Sequence, residues 1–233
     1  MSALPAGFRY TNRNVFSVTD EFRITGTVCH VGSLLHGKED GSTENWRAGF
    51  AKRGLAPFVG IDLFAGPNVD LQADLCDPAI FERHPALEGF FDLVFCSALL
   101  EHVSELFDCA KVIRRLIKPG GHLYFAGPWV AGYHAYPDDY WRISFSGLKV
   151  LFPDLEWLLK WYSGANEGVT VDFDDAAMER KLFAFQSDAA RARMSDRSIS
   201  YIMVCALGRA PLALGRTVFP TNDCVTDTNR RAG

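Results

Sequence analysis

Between Phe91 and Pro128 the spacing of apolar residues changes twice. Phe91 to Cys96 is a short apolar run of the kind that forms a buried strand. Leu106, Ala110, Ile113 and Leu116 or Ile117 then recur at helical spacing. Lys111, Arg114, Arg115 and Lys118 gather toward the far end of that helix, where its dipole favours cations. Pro119-Gly120-Gly121 stops the helix, and His122 to Ala126 begins a new strand. Strand, helix, strand in this order predicts a right-handed parallel crossover. The connecting loop, Ser97 to His102, then lies at the carboxyl edge of the sheet, where open α/β folds bind ligands.

The same reading extends along the chain. Thr27 to Val31 is a first strand, broken by Gly32-Ser33. Ser42 or Thr43 is placed to cap a helix through Trp46 and Phe50, with Gly54 just past its end. Phe58 to Ile61 is a second strand closing on Asp62, and Ala65 to Asn68 is a turn. Val69, Leu71 and Ala73 alternate with polar residues as in an edge strand, and Asp77-Pro78 opens a short helix through Phe81. Gly127 to Arg142 is too rich in glycine, proline and aromatics for a regular element. Ser146 is read as the cap of a helix stopped by Pro153. Leu155 to Tyr162 and Ile199 to Leu207 are read as the last two strands.

The segment from Phe91 to Gly121 resembles the centre of class I S-adenosylmethionine-dependent methyltransferases. The residues that carry the likeness are Phe91-Asp92, Glu101-His102 and Ile117-Lys118-Pro119-Gly120-Gly121. The physical reading alone gives only a nucleotide-type α/β domain. The resemblance implies a Rossmann-like class I methyltransferase fold, with about seven mostly parallel strands flanked by helices and the last strand inserted antiparallel. On that reading residues 1–233 form a single methyltransferase domain. Residues 1–25 are an N-terminal lid or edge segment, 26–210 the core with an insertion at about 165–198, and 211–233 a loose tail.

An adenosyl ligand needs close backbone approach after the first strand, a carboxylate at the end of the second and a polar group near the third. Gly32 and Ser33 meet the first need, although Gly37 and Gly41 are spaced more widely than in the family's usual loop. Asp62, with Leu63 beside it, meets the second, because a charge closing an apolar strand is poorly accounted for by a core. Asp74 and Leu75 meet the third, where the family's aspartate reaches the adenine amino group; Asp74 also reads as an ordinary helix N-terminal residue. Ser97 and Ala98 would pass their backbone beneath the cofactor. The cofactor implied by the resemblance is S-adenosyl-L-methionine.

The segment from His134 to Arg142 resembles a signature in one branch of these methyltransferases. His134 is the candidate base, or else a structural histidine bonded to a loop carbonyl. Tyr140 and Arg142 suit a polar or anionic acceptor, since arginine forks onto carboxylate or phosphate. Arg142 equally suits an internal pair with Asp138 or Asp139. His102, after Glu101, faces the cleft in the expected fold and is a second catalytic candidate beside a purely structural reading. His134, Asp138 and Asp139 do not make a complete ligand set for a hard cation, and no metal is expected.

Composition narrows the function further. A formal net charge of −4 without a basic stripe argues against a nucleic-acid partner. Six cysteines without a CxxC pattern read as reduced thiols, consistent with a cytoplasmic protein. No apolar run reaches the roughly 20 residues of a membrane helix, and no signal peptide is evident. The expected activity is methyl transfer to an oxygen or nitrogen of a small molecule, a sugar or secondary metabolite. A homodimer is left open. The rivals are a non-catalytic binding protein on the same fold and a nicotinamide oxidoreductase, the latter disfavoured by the missing GxGxxG.

Overall fold

The computed structural model describes residues 8–11, 13–35, 46–134, 137–164, 169–173 and 202–213. Its centre is one sheet. The strands are β1 (Phe8–Thr11), β2 (Gly26–Val31), β3 (Leu55–Asp62), β4 (Leu71–Gln72), β5 (Phe91–Ser97), β6 (Ile117–Val130), β7 (Glu156–Gly164), β8 (Val169–Phe173) and β9 (Ile202–Arg209). Their order across the sheet is β1-β8-β7-β9-β6-β5-β2-β3-β4. β4, β3, β2, β5 and β6 run parallel, and β9 is inserted antiparallel between β6 and β7. These strands and β7 are the seven expected. β8 and β1 extend the same sheet by two antiparallel pairings.

Alternation along the strands divides the core between the two faces of the sheet. Cys29, Val31, Val94, Cys96, Leu123 and Phe125 pack with α4 (Leu106–Leu116) and α5 (Phe145–Leu151). Their neighbours Val28, Leu93, Phe95, Tyr124 and Ala126 pack with Val15 and Val18 of α1 (Val15–Glu21) and Phe50 of α2 (Trp46–Ala51). The short α3 (Ile80–Arg83) follows Asp77, whose carboxylate accepts from the Ala79 amide. Helices on both faces of a mostly parallel sheet define a three-layer α/β domain.

Several boundaries differ from the sequence reading. α4 ends at Leu116, and Ile117 already pairs with Phe91 in the sheet, so Lys118 lies outside the helix and binds Asp92. Arg114 is not a solvated dipole cation. It is buried and forks onto Asp154. β6 continues through Val130 because β9 supplies an antiparallel partner for Gly127, Pro128 and Val130. Ser144, not Ser146, caps α5, accepting from the Gly147 amide; starting there buries both Phe145 and Leu148. The third strand shortens to two residues. Asp172, read as part of a polar stretch, lies in β8. The expected cap at Ser42 or Thr43, Gly37, Gly41, most of the insertion and the tail from Thr217 lie outside the described residues.

Candidate active site

Because β2, β3, β4 and β5 run parallel, the residues that follow them collect on one edge of the sheet. A cleft of about 240 Å³ opens there, walled on one side by Gly32, Asp62, Leu63 and Ala73 to Cys76. The other wall is His102 to Glu105, with Pro137 and Tyr140.

Gly32 has φ of +69°, a conformation costly for a residue with a side chain, and a Cβ there would meet Leu99 at 3.0 Å. Asp62 is held by the loop it faces. Its Oδ2 accepts from the Leu34 amide at 2.9 Å and its Oδ1 from the Phe64 amide at 3.0 Å. A carboxylate offers about four acceptor sites, so lone pairs remain for two vicinal hydroxyls. Asp74 also lines the cleft, one oxygen accepting from the Cys76 amide at 2.7 Å. Asp74 thus caps a turn and lines the cleft. Ala98 has φ of +51°, a left-handed backbone for a non-glycine residue, at the mouth of β5.

The cleft joins five of the eight expected cofactor residues: Gly32, Asp62, Leu63, Asp74 and Leu75. Ser33 does not face it. Its hydroxyl is fully buried and has no hydrogen-bond partner among the described residues. Ser97, the last residue of β5, and Ala98, which follows it, are not among the lining residues; the Ala98 amide donates to the Ala126 carbonyl. Among the described lining residues are three carboxylates (Asp62, Asp74 and Glu105) and no lysine or arginine.

On the acceptor side, the chain from Pro137 to Arg142 folds back over Glu101. The Tyr140 amide donates to the Glu101 carbonyl at 2.7 Å, and Trp141 Nε1 donates to the Val103 carbonyl at 2.8 Å. Arg142 forks onto Asp139, whose carboxyl it holds well below the usual carboxylate range. Asp139 also accepts from the His134 amide at 3.0 Å and lies 3.1 Å from His134 Nδ1. The internal pairing of Arg142 is thus the one realised, and it braces His134. His102 Nδ1 lies 2.6 Å from the Asp138 carbonyl, and its ring meets that of His134 edge to face at 5.0 Å. Tyr140 is exposed and lines the cleft.

Sequence reasoning undervalued Glu101. It is 1% exposed, and burial pushes its carboxyl up to about 7. The signal that could have found it is the Glu101-His102 pair itself, charged residues directly behind the buried Leu100.

Strand order, the inserted antiparallel strand and the edge cleft define the class I methyltransferase fold. Residues 43–125 match the family described as a methyltransferase domain. The ubiquinone biosynthesis O-methyltransferase of Ralstonia nicotianae is 38% identical over 64 residues, 28% of this chain and 25% of that protein. The chain therefore matches about a quarter of the length of that curated relative. The crystal structure of the 1,6-didemethyltoxoflavin-N1-methyltransferase from Burkholderia thailandensis, with 1,6-didemethyltoxoflavin and S-adenosylhomocysteine bound, superposes with a TM-score of 0.54. It is 12% identical, over 86% of this chain and 78% of that one. The [4+2]-cyclase SpnF superposes with a TM-score of 0.51 at 15% identity, over 85% and 81% of the two chains.

Proposed function

We propose that the protein transfers a methyl group from S-adenosyl-L-methionine to an oxygen or nitrogen of a small molecule, a sugar or secondary metabolite. The observation that carries this reading is the convergence of Gly32, Asp62 and Asp74 on one cleft whose described lining has carboxylates and no basic side chain. Such a wall suits a ligand with vicinal hydroxyls and a positive charge. It opposes the pyrophosphate of a nicotinamide cofactor, which asks for helix N-termini or basic groups.

Bound S-adenosylmethionine supplies a methyl group already activated on a positively charged sulfur. The chain's own work is then to position the acceptor and take its proton. Asp62 receives the ribose hydroxyls and Asp74 the adenine amino group. His134, with Nδ1 set against Asp139, is oriented to take the acceptor's proton on its other ring nitrogen. Tyr140 lines the entrance and orients the acceptor, and His102 continues the wall toward Glu101.

Likeness to the Burkholderia enzyme supports the cofactor, and likeness to the Ralstonia enzyme supports the reaction. The superposition on a [4+2]-cyclase favours keeping a second reading, in which the fold binds a small molecule without transferring methyl, since fold alone does not fix chemistry. Calorimetric titration with S-adenosylmethionine and S-adenosylhomocysteine tests the first reading. Micromolar binding of both is expected. Absence of binding by the folded protein overturns it.

A further inference from the structure

Glu101, His102 and His134 each bring one ligand atom to within 4.8 Å of the others. They come from two segments more than thirty residues apart in sequence, joined by the Tyr140–Glu101 backbone bond. Three features of this cluster point the same way. Both carboxylate oxygens of Glu101 are buried, and neither has a hydrogen-bond partner among the described residues. A buried carboxylate in that state is costly unless a cation meets it; protonation removes the charge but leaves the oxygens unpartnered. His102 and His134 each have Nδ1 set against an oxygen, the Asp138 carbonyl at 2.6 Å and the Asp139 carboxylate at 3.1 Å. That is how metal-binding histidines are held, with one nitrogen fixed by an outer acceptor and the other presented to the ion. Finally, His102 Nε2 stands 3.8 Å from Glu101 Oε1. Ligand atoms on a tetrahedral zinc ion stand about 3.4 Å apart, so this pair is near that spacing, and the three atoms, all within 4.8 Å of one another, close on an ion by small side-chain rotations.

We infer that Glu101, His102 and His134 form a three-ligand site for a divalent transition-metal ion of the zinc or iron(II) class, set in the acceptor wall of the cleft. Two imidazoles and one carboxylate suit such ions better than magnesium or calcium, which prefer all-oxygen shells. Asp138 and Asp139 serve as outer partners rather than as ligands. Three protein ligands leave open positions, as in catalytic rather than structural sites. His102 lines the cleft, so an acceptor hydroxyl can reach the ion. A hydroxyl bound there would be acidified by the ion and give its proton to solvent water in the open cleft, and in the metal-loaded protein His134 is a ligand rather than the base. This role for the ion rests on the methyl-transfer reading; ion binding does not.

The test is titration of the chelator-stripped, full-length protein with Co(II), followed by visible absorption, and then displacement with Zn(II). One equivalent is expected, with the ligand-field bands of nitrogen and oxygen donors and no thiolate charge-transfer band. His134→Ala, at a half-exposed position that tolerates truncation, should weaken binding at least about tenfold. Asp139→Asn should weaken it by roughly 10–100-fold through the outer shell. Glu101→Gln, isosteric and confirmed folded by circular dichroism, should behave like His134→Ala. No uptake by folded wild-type protein, a thiolate band, or equal affinity in His134→Ala overturns the site. Cofactor calorimetry on the same stripped protein reports separately on the methyl-transfer reading.

Discussion

The Asp62 carboxylate accepts a hydrogen bond from the Leu34 amide at 2.9 Å, tying the end of β3 to the loop after β2. The residue expected to hold the ribose therefore also shapes the loop beside it. Asp62→Ala removes both functions and should weaken S-adenosylmethionine binding by about 1–3 kcal/mol, the scale for hydrogen bonds to a charged group. Asp62→Asn keeps one carbonyl acceptor for the loop and should lose less. Calorimetric affinities for both variants check this, and unchanged affinity in Asp62→Ala would remove Asp62 from the site.

Gly32 makes a complementary case from the backbone. At φ of +69° an alanine is strained, and its Cβ would press on Leu99 at 3.0 Å. Gly32→Ala should cost about 1–2 kcal/mol of stability from the left-handed backbone alone, and should also weaken cofactor binding by shifting the loop. Denaturant midpoints and calorimetry separate the two losses. An alanine variant as stable as wild type would contradict the strained geometry.

The parts of the molecule legible in the sequence are those where local pattern and tertiary role coincide. Phe91 to Ala126 changes apolar period at each element boundary, and Asp62 closes an apolar strand with a charge that no core would keep. Asp74 was expected at the cleft from the resemblance rather than from the pattern of residues, and it lines the cleft. What was missed depends on contacts distant in sequence. β8 and β1 are strands because they pair with β7 and with each other at the sheet edge, and nothing in Phe8–Thr11 alone requires that. Arg114 reads as a helix-end cation until Asp154 is brought to it from forty residues away. Glu101 and His102 read as a loop pair, and only the return of Pro137 to Arg142 over them places His134 alongside.

His30 supplies a pH dependence away from the active site. Its ring is buried among Phe58, Phe95 and Trp46, with the Asn68 amide nitrogen 3.2 Å from Nδ1. Burial lowers its pKa from 6.5 to about 3. The folded protein thus keeps His30 neutral while the unfolded chain protonates it. Its contribution is fully present above pH 6.5 and is lost as pH falls toward about 3. Over that window stability should drop by up to about 1.4 kcal/mol per pH unit from this group. Urea unfolding of wild type and His30→Gln at a series of pH values checks it. The variant should show a shallower acid slope, and an identical slope would refute the assignment.

Arg114 and Asp154 form a fork with three contacts of 2.7–3.0 Å beneath the end of α4. Arg114 is buried, so truncating it removes the whole fork and its packing beneath the helix end. Arg114→Ala should destabilise the fold by about 3–5 kcal/mol, the range for breaking one side of a buried pair. Because the pair lies at the end of β5 and β6 opposite the cleft, affinity for S-adenosylmethionine below the unfolding transition should stay unchanged. A variant of wild-type stability would show the pair to be solvated.

The Asp139 brace gives the sharpest separation of cofactor binding from turnover. Asp139 holds Arg142 by a fork and His134 through both its amide and Nδ1, yet it does not line the cleft where the cofactor is expected. His134→Ala should slow methylation by roughly 10²–10⁴-fold, the range for losing proton transfer by a positioned group, with cofactor affinity kept. Asp139→Asn keeps the size of the side chain but not the charge that orients the ring. It should slow methylation less than His134→Ala and also leave cofactor affinity unchanged. In the double variant the two losses should not add, because the aspartate acts through the histidine. Single-turnover rates with an identified acceptor decide this: additive losses would give Asp139 a role of its own, and a normal rate in His134→Ala would leave both residues holding the loop alone.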